Sequence, residues 1–402
     1  MSNSLLTIDM ITKEALRLAH EKATFIGTIN RQFDDSFGSS SGKIGDTLRI
    51  RIPSQYTRRS GSRVMDVQDS AQQSTALVVA TQDGVDMRFN SRELALDLDS
   101  FSALHLEPAM ATLISNIDAD ALVAATKATY NFAGTAGTAV STLVAPGAAR
   151  TKMNQDLAPK GDRRFQVNSA VMAGMVNGVA SYFNPSGAIS EQYREGLVAR
   201  TAMADYYENE RTWSMLNMSS ASLSSGTLAG FISTLGQTSL ITGATISTTL
   251  MIGQKFTIAG VSKVHPETKQ SYGVLQNFTV TATTNASTIS FSPPIYISGP
   301  RQNVTGVGTT SNAAALTFLG THNSSYNLGL MYHKDAFTFA TAALPLMSSA
   351  EKCVRRTYDG LSLRVWQDPD IRNDELLTRI DILWGFAAIR PAWACAVVGA
   401  VD

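Results

Sequence analysis

The chain has 402 residues, 33 basic and 33 acidic side chains, and a hydrophobic content of 44%. This length suffices for two or three domains with full-sized cores, and the composition is that of a globular protein. A formal net charge of zero argues against a dedicated nucleic-acid-binding protein, which needs a surplus of Lys and Arg, and it favours self-association.

The first residues and the two cysteines predict a soluble protein made in a reducing cytoplasm. Asp9, Lys13 and Arg17 interrupt any apolar run that a signal peptide would need. No stretch is long and apolar enough to predict a membrane span. Cys353 and Cys395 are far apart in sequence, and we interpret them as reduced, buried small residues rather than as a disulfide.

The N-terminal region has the spacing of a short amphipathic helix over residues 7–25. The residues that share one of its sides are Ile8, Ile11, Ala15, Leu18 and Lys22. Such a terminal helix can pack on the core of its own chain or on a neighbouring molecule.

Two strands at 47–52 and 76–80 enclose a polar, Gly- and Ser-rich segment that carries several arginines. Gln82-Asp83-Gly84 predicts a turn after the second strand. Together these signals predict an extended hairpin with a basic tip. The hairpin has too little apolar content to bury itself and needs another surface on which to lie.

The longest predicted helix spans residues 108–130, with Pro108 near its start. Its apolar stripe consists of Met110, Leu113, Ile117 and Ala121. The residues predicted to face away from that stripe are Asn116, Asp118, Asp120 and Lys127. Further along, 165–168 predicts a strand, and Asn168 is a candidate cap for a helix that continues to Tyr182.

A nearly uncharged stretch follows, between Thr212 and His333. Its charged residues are Lys255, Lys263, Glu267, Lys269 and Arg301. It is rich in Ser, Thr, Gly, Val and Ile, a composition typical of strands and turns. Strands predicted at 255–260, 277–281 and 287–291 indicate a small barrel or sandwich inserted into a more charged host, and strands at 336–340, 362–366 and 379–384 belong to that host.

No catalytic constellation emerges from the sequence. The five histidines lack metal-ligand spacing, and no phosphate-binding loop occurs. One acidic run could hold a divalent cation through carboxylate oxygens: Asp368, Asp370, Asp374, Glu375 and Asp381. A Pro-containing loop followed by a solvated helix start is the favoured interpretation. We therefore predict no enzyme, no cofactor and no metal.

The basic hairpin can contact phosphates, lie across acidic groups of a neighbouring subunit, or remain a solvated loop. Asp46, Asp66 and Asp69 dilute its positive charge, which favours a protein partner. The candidate intersubunit contacts are Arg49, Arg51, Arg58, Arg59, Arg63, Asp118 and Asp120.

Three motifs within this order of elements resemble the major capsid protein of tailed bacteriophages, with its HK97-like fold. They are 191–198 with 202–209 (acidic-Tyr-Arg-x-Gly, then a segment in which Met203-Ala204 replaces the usual Gly-Phe), 256–261 (Phe-Thr-Ile-Ala-Gly-Val) and 382–391, which ends in Arg-Pro. The more specific likeness is to podoviral coat proteins that carry an inserted β domain.

The resemblance implies an α+β chain with six segments. They are an N-terminal arm (1–35), the hairpin or E-loop (36–98), a peripheral domain with the spine helix (99–135), a first axial part (136–224), the inserted β-rich domain (225–320), and C-terminal axial and peripheral strands (321–402). It implies that hairpin and arm have no core of their own, since the hairpin overlies the spine helix of a neighbour and the arm reaches under another subunit. Crosslinking through Lys43 is not expected.

The function implied by the resemblance is an icosahedral shell of hexamers and pentamers around double-stranded DNA. The shell would be assembled in the host cytoplasm with a scaffolding protein and a portal protein, touch DNA non-specifically and involve no membrane. Two alternatives stay open. One is a receptor- or glycan-binding module that uses the neutral β insertion, and the other is a metal-dependent hydrolase that uses Asp368, Asp370 and Asp374.

Overall fold

The computed structural model describes residues 8–32, 46–62, 65, 67–68, 72–90, 105–179, 204–217, 228, 235–242, 250–285, 288–306, 314–347, 352–358, 361–370 and 375–401. The chain divides into two compact units, each discontinuous in sequence. Unit 1 comprises Met1–Ile50, Thr75–Leu122 and Phe337–Ile389, and unit 2 comprises Arg51–Ser74, Val123–Ala336 and Arg390–Asp402.

The described residues form an α+β chain with mostly antiparallel strands. The helices are α1 (Ile8–Lys22), α2 (Glu107–Ala128), α3 (Val144–Gln155) and α4 (Ser169–Val179). The strands up to the neutral stretch are β1 (Asp46–Ile52), β2 (Gln73–Val79), β3 (Thr81–Asn90), β4 (Phe132–Ala133), β5 (Arg163–Val167), β6 (Asp205–Glu208) and β7 (Trp213–Leu216). Those that follow are β8 (Gln237–Ile241), β9 (Lys255–Val264), β10 (Ser271–Asn285), β11 (Thr288–Ile295), β12 (Val304–Thr305), β13 (Leu316–Phe318), β14 (Ser325–His333), β15 (Phe337–Ala342), β16 (Lys352–Tyr358), β17 (Leu361–Asp370), β18 (Glu375–Ala388) and β19 (Ala394–Val401).

Unit 1 contains an antiparallel sheet in the order β15-β18-β17-β16, and β3 pairs with β18. Helix α1 packs against β16 and β17 and buries Ile11, Ala15 and Leu18. The predicted helix is therefore confirmed. The expectation that this part of the arm has no core of its own is wrong, because the apolar side of α1 covers the sheet of its own chain.

The turn predicted at Gln82-Asp83-Gly84 is also wrong. These residues lie inside β3, which pairs with β18 over its whole length. Gly84 stands opposite Asp381, and a Cβ atom on Gly84 would lie 2.7 Å from the carbonyl oxygen of Ile380. The glycine therefore permits a close approach between two strands, which a sequence cannot distinguish from a turn.

Unit 2 contains a sheet in the order β4-β19-β14-β5-β6, and β7 pairs with β14. Residues of α3 and α4 share an apolar cluster with this sheet, which includes Phe165, Met331 and Val397. The predicted cap of α4 is confirmed, because Asn168 Oδ1 accepts a hydrogen bond from the Val171 backbone N–H at 3.0 Å. The predicted continuation to Tyr182 lies outside the described residues.

A second sheet of unit 2 is built from the neutral stretch, in the order β12-β9-β10-β11-β8, with β13 also on β9. The three strands predicted there are confirmed as parts of β9, β10 and β11. Its core is apolar and its own, and it centres on four aromatic side chains: Phe256, Phe278, Phe291 and Phe318. We call this element the inserted sheet. The inward-facing side chains of these strands form an apolar core, so the sheet is stabilised by burial and needs few charged residues.

The acidic run near residue 370 is not a helix start. Asp368 and Asp370 lie on β17 and Glu375 begins β18, the next strand of a hairpin. Asp381 is buried in an ion pair with Arg364, with 2.5 Å between Oδ2 and Nη2. Asp374 lies outside the described residues. Among the residues that are described, no cluster of three or more His, Cys, Asp or Glu side chains could hold a metal ion.

The two cysteines are unpaired, as predicted. Cys395 is buried, whereas Cys353 is only partly buried on β16, so the expectation that both are buried is wrong for one of them. In the helices that the structure describes, no segment has the length and hydropathy of a membrane span.

Candidate assembly surface

The predicted hairpin is confirmed, because β1 and β2 form a two-stranded sheet. Side chains alternate along β1: Arg49 and Arg51 are exposed, whereas Ile50 is buried. Ile50 joins Leu77 and Val79 of β2 in an apolar cluster with residues of β15 and β18. The base of the hairpin therefore has a core within its own chain, contrary to the expectation that it has none.

A glycine fixes how closely the hairpin base approaches the unit 1 sheet. A Cβ atom on Gly385 of β18 would lie 2.2 Å from the carbonyl oxygen of Val78 and 2.9 Å from its carbonyl carbon. Real Cβ atoms do not approach a backbone so closely. Gly385 thus allows β2 to lie directly on β18.

The tip of the hairpin differs from its base. Tyr56, Met65 and Val67 are 58%, 83% and 79% exposed, and Arg58 and Arg59 are exposed as well. Large apolar side chains that are exposed together in one short segment are candidates for an interaction surface. Arg63 lies outside the described residues.

One side chain orders the tip. The Thr57 backbone N–H donates to Gln68 Oε1, and Gln68 Nε2 donates to the Thr57 carbonyl oxygen, each over 2.8 Å. The Gln68 side-chain amide thus makes the two hydrogen bonds that a backbone peptide group of a neighbouring strand would make. The two arms of the tip are therefore held together at a point where neither is part of a strand.

The two aspartates of α2 have different roles. Asp120 is exposed. Asp118 is buried, and its Oδ1 accepts hydrogen bonds from the backbone N–H groups of Phe25 at 2.8 Å and Ile26 at 2.9 Å. The prediction that Asp118 faces away from the core is wrong, because its carboxylate satisfies the start of the short turn that follows α1.

Lysine residues attach the inserted sheet to the rest of unit 2. Lys255 of β9 is fully buried, and its Nζ donates to the carbonyl oxygens of Thr126 at 2.8 Å and of Thr129, and to Thr279 Oγ1 at 3.1 Å. The carbonyls belong to the C-terminal end of α2, where the helix dipole favours a cation. Burial lowers the pKa of Lys255 to about 7.

Lys263 makes a second attachment. Its Nζ lies 2.7 Å from Asp156 Oδ2, and Asn131 Nδ2 donates to the same oxygen over 2.8 Å. Nearby, burial raises the pKa of the Cys395 thiol to about 12. That thiol is therefore protonated and unreactive at neutral pH.

The other two cations of the neutral stretch have partners inside it. Lys269 Nζ donates to the carbonyl oxygens of Pro266 and Pro300, each at 2.6 Å. The Arg301 guanidinium lies 4.2 Å from the centre of the Tyr296 ring, a cation–π contact. Sequence reasoning missed these roles. The scarcity of charged residues in this stretch was the available signal. It indicates that the few cations present have specific partners.

Part of the chain matches a known family of phage coat proteins. Residues 234–399 match the family model described as P22 coat protein, gene protein 5. No curated protein matches the chain in a sequence search. Over these residues the match agrees with the predicted resemblance to the coat proteins of tailed phages.

Several solved structures resemble the chain. One is from Mycobacterium phage Che8, with 8% identity, a TM-score of 0.48, and coverage of 93% of this chain and 90% of the other. Another is the capsid of the cyanophage P-SCSP1u, with 13% identity, a TM-score of 0.44, and coverage of 93% and 89%. A third is the CUS-3 coat protein I-domain, which is 28% identical over 24% of this chain and 97% of its own, with a TM-score of 0.20.

Proposed function

We propose that this chain is the major capsid protein of a tailed phage and that many copies of it form an icosahedral shell of hexamers and pentamers. The observation that carries the proposal is the match of residues 234–399 to the coat protein family. The exposed hairpin tip supports it, because a shell subunit needs a surface that only another copy covers.

The contact surface that we propose on the tip combines two chemistries. Tyr56, Met65 and Val67 supply apolar area, and Arg58 and Arg59 supply exposed positive charge. The apolar area gains free energy when a neighbouring copy covers it, and the arginines select an acidic or carbonyl-rich partner surface. Asp120 is a candidate contact on the exposed side of α2.

Weak contacts of this kind suffice for a shell. Every 1.4 kcal/mol is about tenfold in an association constant, and contacts repeated around a closed shell reinforce one another. Individually weak contacts also let misplaced subunits dissociate before the shell closes. We therefore assign the hairpin tip to assembly rather than to subunit stability.

The partners that we propose follow from this role. They are a scaffolding protein and a portal protein during assembly in the host cytoplasm, and packaged DNA in weak, non-specific contact. The net charge of zero supports weak contact, since tight phosphate binding requires an excess of cations. We propose no catalytic activity. Asp381, one of the acidic residues considered as a metal ligand, already forms an ion pair with Arg364.

The proposal is tested by electron microscopy and sedimentation of the purified recombinant chain, alone and with a scaffolding protein from the same source. The variant Arg58→Ala/Arg59→Ala should stay folded, yield at least tenfold fewer shells, and lose shells at lower salt than the wild type does. Lys160→Ala/Lys334→Ala removes two exposed cations elsewhere and should assemble normally.

Normal shell yield and salt resistance in the arginine variant would show that these arginines make no assembly contact. A small oligomer of fixed size that never forms shells, with a melting temperature raised by glycans, would instead identify the glycan-binding module.

A further inference from the structure

Lys255 joins β9 to the C-terminal end of α2 through a buried ammonium group. Its Nζ is surrounded by neutral oxygen atoms: the carbonyls of Thr126 and Thr129 and the hydroxyl of Thr279, with the Lys127 carbonyl at 3.4 Å. Thr279 donates its own hydroxyl proton to the Lys127 carbonyl over 3.1 Å. In the part of the chain that the structure describes, Lys255 forms no ion pair.

An apolar side chain would make a tighter joint at this position. Moving an ammonium out of water costs several kcal/mol, and carbonyl dipoles repay less of it than a carboxylate does. Even for a buried ion pair, replacement of the whole pair by apolar groups of similar volume is often neutral or stabilising, because the cost of desolvation cancels much of the attraction. The neighbouring attachment shows the contrast, because Lys263 has the carboxylate of Asp156 at 2.7 Å.

We propose that Lys255 is a releasable joint: the buried ammonium weakens the attachment between β9 of the inserted sheet and the C-terminal end of α2, so that these two segments separate while the rest of the chain stays folded. The joint separates most easily when Lys255 is protonated. The inference concerns the isolated subunit and is independent of the proposed shell function.

At the joint itself, Lys255 titrates near neutrality. From β19, the Cys395 thiol has a pKa of about 12. On α2, the Lys127 ammonium lies 5.3 Å from the centre of the Trp213 ring. On α3, burial lowers the pKa of Lys152, which interacts electrostatically with the Cys395 thiol. After α2, burial raises the pKa of Tyr130 well above its ordinary value. On β10, Thr279 does not titrate.

The direction of the pH effect follows from proton binding. An open joint exposes Lys255 and restores its ordinary pKa of 10.5, whereas the closed joint holds it at about 7. Between these values the open state binds more protons, so raising the pH favours the closed state. The opening equilibrium constant should fall about tenfold between about pH 6 and pH 8.

Hydrogen–deuterium exchange of the full-length, unassembled chain tests the joint, with rates corrected for intrinsic amide chemistry at each pH. In the wild type, amides of 126–130 and 255–258 should exchange about tenfold more slowly at pH 8 than at pH 6. Lys255→Met keeps the length of the side chain without its charge. It should slow exchange in the same segments and remove their pH dependence.

Lys263→Met is the matched control. It leaves Asp156 without its cation, so exchange should become faster while the pH dependence of the wild type persists. Faster exchange in Lys255→Met than in the wild type would show that the ammonium strengthens the joint and would overturn the proposal. A wild-type profile that is flat or rises between pH 6 and pH 8 would also overturn it, even if the methionine variant does not fold.

Discussion

The hairpin tip and the inserted sheet are both surface additions to this chain, but they reach order in opposite ways. The inserted sheet encloses an aromatic core of its own and is attached by two buried lysines. Among the described residues, the hairpin buries apolar side chains at its base, whereas at its tip it exposes Tyr56, Met65 and Val67. The first region therefore contributes to the stability of one subunit, and the second offers the apolar area that we propose a neighbouring copy covers.

The largest test of this comparison removes the centre of the inserted core. Phe256 is fully buried, with Phe278 and Phe318 each 5.5 Å away between ring centres. Phe256→Ala should lower the free energy of unfolding by about 3–5 kcal/mol. Chemical denaturation measures it, with Leu275→Ala on the same sheet as the control, because Leu275 is exposed. Equal effects of both variants would mean that the inserted sheet has no separate core.

A smaller effect is expected at the base of the hairpin. Gly385→Ala places a methyl group against the Val78 carbonyl, so β2 must shift away from β18 at a cost of about 1–3 kcal/mol. The control is Gly147→Ala in α3, where a Cβ atom meets nothing within 4 Å. The control should be neutral or slightly stabilising. If Gly385→Ala unfolds with the midpoint of the wild type, the base is not packed as described.

The smallest change in subunit stability is expected at the tip, together with a large change in assembly. Met65→Ser/Val67→Ser should alter the free energy of unfolding by less than about 0.5 kcal/mol, since both side chains are exposed. Shell yield should nevertheless fall, because the apolar contact between copies is lost. Leu235→Ser, in the turn before β8, is the control, because Leu235 is exposed as well. A normal yield of shells in the tip variant would show that Met65 and Val67 make no assembly contact.

Sequence patterns predicted the regular elements well because local rules govern them. Three strands of the inserted sheet (β9, β10 and β11), the long helix and the cap at Asn168 follow from local composition, side-chain periodicity and hydrogen bonds between near neighbours. The hairpin was predicted from the alternation in β1, the strand signal of β2 and the polar segment between them.

Long-range contacts account for the errors. Asp118 looked exposed because its bonding partners, Phe25 and Ile26, are more than 90 residues away in sequence. Gly84 looked like a turn because its close neighbour is on β18. The roles of Lys255 and Lys263 likewise depend on α2 and Asp156. A sequence lists the groups that need partners, but the fold decides which partners they meet.

The pairing of β7 with β14 has a consequence for protein engineering. Ser325 lies opposite Leu216 in that ladder, the Asn217 N–H donates to the Ser324 carbonyl over 3.0 Å, and the Asn323 N–H donates back to the Asn217 carbonyl over 2.8 Å. The polypeptide thus leaves β7 and enters β14 at adjacent points. A short loop in place of 218–323 should therefore leave both strands where they are, so that this segment can be exchanged for another module.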